Sequence, residues 1–317
     1  MWQFLLQRLF LLVVVAIGVT ALTFLMMYFT PGDPAVIISV SRYGGPESLS
    51  ADLIDWIRHQ EGLDAPIYIQ YVKWLDHIIH LDLGRSLITD EPVLDKIVSR
   101  FPATFQLALV SMCIYLLIAI PLGIISAVKQ NSAIDYLSIT GVLVGVSMPN
   151  FWLALILILF FSIYLGWLPV CGYQDFRCFI LPATTLGIGI AATTTRLVRS
   201  SMLDVLGQNY IRTARAKGLK ETIVIGKHAL KNAMIPIITI VGLQFASLLE
   251  GAVVVETIFA WPGVGRLLVD SINQRDFPMI QGCVLFIAII FVLANLIVDC
   301  SYVYLDPRVR YDRSGRA

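Results

Sequence analysis

Long runs of apolar residues without a charge constrain this chain more than any other feature of its sequence. The first run, residues 9–29, holds 21 residues and no charged side chain. A helix rises about 1.5 Å per residue, so this run would span about 30 Å, the thickness of the hydrocarbon core of a bilayer. Charged residues make up only 14% of the 317 residues, against about a quarter in soluble domains. The chain is therefore predicted to be an integral membrane protein.

Five further apolar runs predict an all-α, polytopic protein with six transmembrane helices. The predicted spans are about 9–29, 103–128, 137–166, 179–196, 234–255 and 279–303. The first run has the character of a signal peptide, but no small-residue cleavage site follows it, so we interpret it as a retained anchor, with cleavage as the alternative. Pro121, Pro149 and Pro182 lie within or near the ends of spans, where proline predicts kinks supported by neighbouring helices.

The distribution of charge along the chain predicts its orientation. Segment 196–232 holds eight basic and two acidic residues, whereas segment 31–101 holds six basic and eleven acidic residues. Basic loops stay on the cytoplasmic side of a membrane, so 196–232 and the C-terminal tail are predicted inside the cell and 31–101 outside. Six spans return the chain to its starting side, which agrees with cytoplasmic N- and C-termini.

These features divide the chain into four parts: an anchor helix at 1–30, an extracytoplasmic helical segment at 31–101, a five-helix core at 102–305 and a cytoplasmic tail at 306–317. Apolar residues recur at helical spacing in the second part, which predicts short amphipathic helices over the outer mouth. Ser50 precedes one of them and is a predicted helix cap.

The basic segment 196–232 admits two interpretations. It could be a positively charged loop that only fixes the topology. Alternatively, apolar and basic residues alternate in it at helical spacing, and Gly218 could end a helix in the left-handed conformation. An ordered helix with a defined end is what docking into a groove of another protein requires.

Motifs in order along nearly the whole chain resemble the permeases of bacterial ABC importers, specifically the B-type membrane subunit of the dipeptide, oligopeptide and nickel branch. The motifs are PGDP at 31–34, SMP at 147–149, RSSM at 199–202, YIRTARAKGL at 210–219, HALKNA at 228–233, ETIFAWPGVG at 256–265, RDFP at 275–278 and DPR at 306–308. The resemblance implies the fold of a type I ABC importer permease in the bacterial inner membrane, and it favours the docking interpretation of 196–232.

The resemblance also implies partners. They are a paralogous permease subunit, two cytosolic ATPase subunits, an extracytoplasmic substrate-binding protein and the lipid bilayer, with no nucleic acid. The chain has no glycine-rich phosphate-binding loop, so ATP and Mg²⁺ would be bound by the ATPases. The chain is then a permease subunit without a cofactor or catalytic residues of its own, and not an enzyme.

Two groups of residues follow from the same resemblance. Those expected to couple the chain to the ATPases are Arg212, Thr213, Ala214, Arg215, Ala216, Lys217, Gly218 and Leu219. Those of the extracytoplasmic motif are Glu256, Trp261, Pro262 and Gly263. The general importer signature begins Glu-Ala-Ala where this chain has Arg212, Thr213 and Ala214, so ion-pair roles of that Glu do not carry over.

Three further sets of residues are candidates on chemical grounds. Glu250 falls inside a predicted span, where a carboxylate is costly, so it either lines the pathway for cationic groups or bonds to a neighbouring helix or subunit. Cys171 and Cys178 share a short outer loop and could form a disulfide, or stay as two thiols. His77 and His80 would share a helix face, but two histidines without a third ligand do not predict a metal site.

The most favoured function is the import of short peptides. The alternative within the family is import of nickel, a metal chelate, glutathione or an opine. A rival from another class is a self-sufficient channel or secondary transporter, which would often show intramembrane charges and an internal repeat; here most charges lie in loops.

Overall fold

Helices account for all the regular secondary structure in the part of the chain that the structure describes. The structure is a computed structural model and describes residues 2–29, 32–43, 50–60, 62–170 and 172–305. Within these ranges one isolated bridge joins Arg85 to Pro92. The chain divides into two compact units, residues 1–102 with 262–290 and residues 103–261 with 291–317. The predicted all-α class is confirmed.

Thirteen α-helices follow one another along the described residues. They are α1 (Trp2–Phe29), α2 (Pro34–Tyr43), α3 (Ala51–Gln60), α4 (Ile67–Ile79), α5 (Val93–Val128), α6 (Ala133–Ser147), α7 (Asn150–Leu157), α8 (Arg177–Leu206), α9 (Asn209–Ala216), α10 (Glu221–Ile223), α11 (Leu230–Ile258), α12 (Val264–Gln274) and α13 (Phe277–Leu305). Two π-helical stretches add to them: Ile158–Tyr164 extends α7, and Val224–Ala229 joins α10 to α11.

Helices α2, α3 and α4 of the first unit confirm the prediction of short helices in 31–101. Ser50 caps α3, because its Oγ accepts a hydrogen bond from the Leu53 N–H at 3.2 Å. Asp33 accepts one from the Ala35 N–H at 2.9 Å and another from Nη2 of Arg58 at 2.5 Å. The turn before α2 is thereby tied to α3.

Three helices among the described residues are long and apolar enough to cross a bilayer alone: α5, α8 and residues 277–298 of α13. Two bent pairs meet the same criterion together, one over 133–164 and one over 221–249, which makes up to five spans. The apolar stretch 10–26 of α1 is shorter. The count of six spans stays a prediction.

The predicted span 137–166 is broken in the middle. The helix axis bends by 105° between the two halves, 133–147 and 150–164. Met148 (φ −87°, ψ 131°) and Pro149 (φ −57°, ψ 140°) are both extended. The residue before a proline is pushed out of the helical region, and proline has no N–H to continue the ladder. Pro149 therefore ends α6 and begins α7, a larger change than the kink that the sequence predicted.

Glycines bring α5 and α8 close together in the second unit. A Cβ added to Gly187 of α8 would lie 3.2 Å from the Ser111 carbonyl oxygen and 3.3 Å from the Tyr115 nitrogen. A Cβ added to Gly123 of α5 would lie 2.6 Å from the Cβ of Val198. The two helices therefore pack closely at two levels, which residues without a large side chain permit.

Helix α8 extends ten residues beyond the predicted span 179–196, since it ends at Leu206. The sequence boundary was placed where the basic residues begin, but a charged side chain does not interrupt helical hydrogen bonding. Between Gly189 and Gly207 the sequence has neither glycine nor proline, so nothing in the backbone stops the helix earlier.

Candidate functional site

The predicted coupling loop, residues 196–232, contains the short helix α9 between two long helices. Helix α8 ends at Leu206, and α9 begins at Asn209, so only Gly207 and Gln208 separate the two helices. Gln208 is extended (φ −73°, ψ 149°), so the chain changes direction there. The ordered helix that the sequence predicted is present.

Gly218 lies just beyond the end of α9, as predicted. Its φ is +77°, in the left-handed region that glycine enters without steric cost. Its N–H bonds to the Arg215 carbonyl at 2.9 Å, and the Leu219 N–H bonds to the Ala214 carbonyl at 3.4 Å. This pair of bonds is a Schellman motif, which satisfies the last carbonyls of a helix. Gly218 therefore gives α9 a defined end.

One face of α9 is buried in the second unit. Ile211 and Ala214 lie one turn apart on it and pack against the C-terminal parts of α5 and α8. The other buried members of that cluster are Ala127, Val198, Met202, Val224, Ala229, Ala233 and Ile237. Burying an isoleucine side chain stabilises a fold by about 1.5–3 kcal/mol. Helix α9 is therefore packed firmly on α5 and α8.

The opposite face of α9 is exposed and basic. Of the eight predicted coupling residues only Ala214 is buried; the other seven are exposed. Arg212 and Lys217 carry the charge of this face, and Lys220 adds to it just beyond the glycine. The arrangement can present a positively charged helix to another protein.

Arg215 has an intramolecular partner as well. Its Nη2 donates to Oε1 of Glu221 at 2.6 Å and its Nε to Oε2 at 3.2 Å, across the turn at Gly218. These hydrogen bonds lower the pKa of Glu221 below its ordinary value and raise the pKa of Arg215. Both side chains are about half exposed, so the pair contributes little to stability. It holds the two sides of the turn together.

A partly buried ion pair joins α6 to α8, and no sequence motif indicated it. Asp135, in the first turn of α6, is only 2% exposed and accepts two hydrogen bonds from Arg199 of α8. In the sequence, Arg199 stands out only as the first residue of the RSSM motif. The available signal was Ser132 three residues before Asp135, a spacing typical of a helix start, and Ser132 does cap α6.

The extracytoplasmic motif turns at the end of α11. Ala260 has a φ of +51° and Trp261 is fully buried. The indole Nε1 of Trp261 donates to the Ala103 carbonyl at 2.9 Å, and its ring packs edge-on against Tyr173 and Phe179 at 4.8 Å and 4.5 Å between ring centres. Trp261 thus attaches the segment that follows α11 to α5, to the loop before α8 and to the first turn of α8.

The other three residues of the motif are Glu256, Pro262 and Gly263. The Glu256 side chain has no exposed surface. Pro262 and Gly263 follow Trp261, and Gly263 is extended (φ −95°, ψ −179°) at the start of α12. The motif therefore places a carboxylate, an indole and a helix start within eight residues of sequence.

Glu250 and Cys171 are less fully described. Glu250 belongs to α11, as predicted, but its side chain lies outside the described part. Cys171 lies outside the described residues altogether, while Cys178 is the second residue of α8. The pathway role of Glu250 and the Cys171–Cys178 disulfide both stay predictions.

The histidines on α4 have ordinary surroundings. His77 and His80 are exposed, and Nδ1 of His80 lies 2.8 Å from the carbonyl oxygen of Asp76 on its own helix. Over the described ranges, no group of three histidine, cysteine, aspartate or glutamate side chains is placed to hold a metal ion. Among the described residues, no third metal-ligating side chain lies with the two histidines.

Two family models match the chain. Residues 119–311 match the binding-protein-dependent transport system inner membrane component, and residues 1–108 match the N-terminal part of a binding-protein-dependent transport system membrane component. Together they include the coupling loop and the helices on either side of it.

Curated relatives match over almost the whole chain. The glutathione transport system permease protein GsiC of Salmonella paratyphi A and that of Escherichia coli K12 are each 44% identical over 311 residues, which is 98% of this chain and 100% of the relative.

Solved structures agree in fold. Inward-facing MetNI, a methionine ABC transporter, matches with a TM-score of 0.58 at 19% identity, covering 68% of this chain and 99% of that chain. An amino acid ABC transporter with histidines matches with a TM-score of 0.50 at 15% identity, over 66% and 94%.

Proposed function

The chain belongs to the family of inner-membrane components of binding-protein-dependent transport systems, and we propose that it forms half of the translocation pathway of an ABC importer for short peptides. The observation that carries this proposal is α9. It is an ordered helix with a buried apolar face, an exposed basic face and an end defined by Gly218, set between long apolar helices. Such a helix is suited to receive force from a separate ATPase.

Short peptides are the proposed substrate class, and glutathione is the first member to test. The relatives at 44% identity are named as glutathione permeases, and glutathione is itself a tripeptide. The test is uptake into proteoliposomes that contain the chain, its partner subunits and the binding protein. We expect ATP-dependent uptake of labelled glutathione or of dipeptides and tripeptides. Uptake of Ni²⁺ alone, with no peptide transported, would overturn the proposal.

The proposed assembly has four protein partners. They are one paralogous permease, two cytosolic ATPases and one extracytoplasmic binding protein. ATP and Mg²⁺ are bound by the ATPases. Family membership supports the ATPases and the binding protein, whereas the paralogous partner is our inference. Co-purification from cells that express the whole set would recover the two permeases at one copy each; a complex with two copies of this chain would contradict the heterodimer.

We further propose that the chain crosses the inner membrane six times with both termini in the cytoplasm. The charge difference between segments 31–101 and 196–232 supports this orientation. A reporter enzyme active only outside the cytoplasm should work when fused within 40–95 and fail when fused within 205–225. The reverse pattern would overturn the orientation.

In the proposed mechanism the chain performs no covalent chemistry. The ATPases close on ATP and displace α9, which is packed on α5 and α8 and carries their inner ends with it. That displacement switches the paired permeases between inward-open and outward-open states. The binding protein docks outside and releases its ligand into the outward-open cavity. Glu250 is proposed to line that cavity and to favour substrates with a cationic group.

A further inference from the structure

The carboxylate of Asp135 is held by hydrogen bonds from three sides in the second unit. Arg199 donates through Nε to Oδ1 at 2.9 Å and through Nη2 to Oδ2 at 2.8 Å. The Ser126 hydroxyl donates to Oδ1, and the Asn131 N–H donates to Oδ2 at 2.9 Å. Each carboxylate oxygen therefore accepts two hydrogen bonds. The planar guanidinium of Arg199 fixes the angle between its own helix, α8, and the helix of Asp135, α6.

These donors come from three different parts of the fold. Ser126 lies near the end of α5, Asn131 lies in the turn between α5 and α6, and Arg199 lies on α8. The turn is further shaped by Asn131 itself, whose φ is +60°. A single carboxylate on α6 thus joins the inner ends of α5, α6 and α8.

The same stretch of α8 also holds α9. Val198 and Met202, on either side of Arg199 in the sequence, are fully buried in the cluster that contains Ile211 of α9. Ala127, next to Ser126 on α5, belongs to that cluster too. One short piece of α8 therefore contacts α9 through apolar side chains and α6 through the ion pair.

Stability alone does not account for an ion pair at this position. Asp135 is removed from water almost completely, whereas 23% of the Arg199 side chain stays exposed. The cost of removing such charges from water can offset much of their attraction, and apolar residues of similar size are often as good or better. What an arginine fork provides beyond an apolar contact is a fixed mutual orientation. The pair is therefore best explained by a need to hold α6 and α8 at one angle while they move.

We propose that Asp135 and Arg199 are positioning residues for transport, which pass the displacement of α9 to α6. The proposal rests on the proposed function, in which the ATPases move α9. With the pair intact, α6 follows α8, and the bent pair of α6 and α7 changes position with each cycle. Without it, α9 and α8 move while α6 lags, so ATP is hydrolysed with little transport.

The experiment uses the complete transporter in proteoliposomes with its binding protein. Asp135→Asn keeps the shape but removes the charge, and Arg199→Lys keeps the charge but removes the fork. We expect both variants to assemble normally and to deliver about tenfold less peptide per ATP hydrolysed, a typical size for coupling between sites. The matched control is Asp95→Asn, which changes an exposed carboxylate in the first turn of α5, outside the coupling loop, and should keep the wild-type ratio.

Two results would overturn the proposal. One is an unchanged ratio of peptide to ATP in both variants. The other is a loss of transport that only follows a loss of assembled complex, since that is what a purely structural pair predicts. If Asp135→Asn does not fold, Asp135→Asn with Arg199→Gln restores a neutral hydrogen-bonded pair and should assemble with the same low ratio. A wild-type ratio in that double variant would equally contradict the proposal.

The test also separates this inference from the proposed function. If the wild-type complex imports none of the peptides, the proposed substrate class is wrong. Stimulation of ATP hydrolysis by the liganded binding protein then replaces uptake as the readout. The inference predicts weak stimulation in Asp135→Asn and Arg199→Lys and normal stimulation in Asp95→Asn, and equal stimulation in all three would refute it.

Discussion

Replacement of Gly218 tests whether the defined end of α9 matters for transport. In the described part of the chain no heavy atom outside the adjacent residues lies within 4 Å of the position that a Cβ would occupy. A new side chain would therefore meet no neighbour, and only the backbone conformation would resist it. With φ at +77°, a residue other than glycine costs about 1–2 kcal/mol. That cost lowers the population of the native turn about fivefold to thirtyfold.

The expected effect is graded by side chain. Asparagine tolerates the left-handed region, alanine tolerates it less, and a β-branched residue tolerates it least. Transport rates should therefore fall in the order Gly218, Gly218→Asn, Gly218→Ala and Gly218→Val. The amount of chain inserted in the membrane should stay normal, because Gly218 is exposed and contributes nothing to the buried cluster.

Gly207 offers a matched control eleven residues earlier. It follows α8 with a φ of −75°, which any residue can adopt, and its added Cβ would make only ordinary contacts at 3.6 Å. Gly207→Ala should transport like wild type. The assay is ATP-dependent uptake in proteoliposomes, with ATP hydrolysis measured in parallel. Equal transport by Gly218→Val and Gly207→Ala would refute the argument that a left-handed residue shapes the docking helix.

Three further outcomes are expected. Ala260→Gly should raise the free energy of unfolding by about 0.5 kcal/mol, and with it the midpoint of thermal unfolding, because it removes the cost of a positive φ; a lowered midpoint would contradict this. Glu250→Gln should leave assembly intact and reduce uptake of cationic substrates more than of neutral ones, whereas weaker co-purification of the partner permease would indicate an interface role. If Cys171 and Cys178 are bridged, a maleimide should label neither until a reductant is added, and equal labelling before and after reduction would show two thiols.

The helical segments were predictable because a bilayer leaves the backbone few alternatives. An apolar run without charge must satisfy its own N–H and C=O groups, and a helix does this locally. The site was predictable where its chemistry is local too. The end of α9 depends on Gly218 and on bonds within six residues of sequence, so the motif was sufficient to place it.

Features that depend on distant residues were not predictable. Asp135 and Arg199 are 64 residues apart, and the sequence around either residue does not indicate that the other is its partner. The size of the bend at Pro149 also depends on what the two halves pack against, since proline alone specifies only that the helix ends. The predicted span 179–196 likewise did not indicate where α8 ends, because charge indicates a boundary with water and not the end of a helix.

The unbroken length of α8 has a geometric consequence. Its 30 residues make a rod of about 45 Å. Near its first turn Phe179 packs against Trp261, and shortly after its last turn α9 begins. If the aromatic contact acts as a pivot, a tilt of about 5° displaces the far end by about 4 Å over that length. A rotation small enough to preserve the aromatic packing would thus displace the site where α9 is attached by about three quarters of a helical pitch. Conversely, a push on α9 would reach the other end of α8 as a small change in angle.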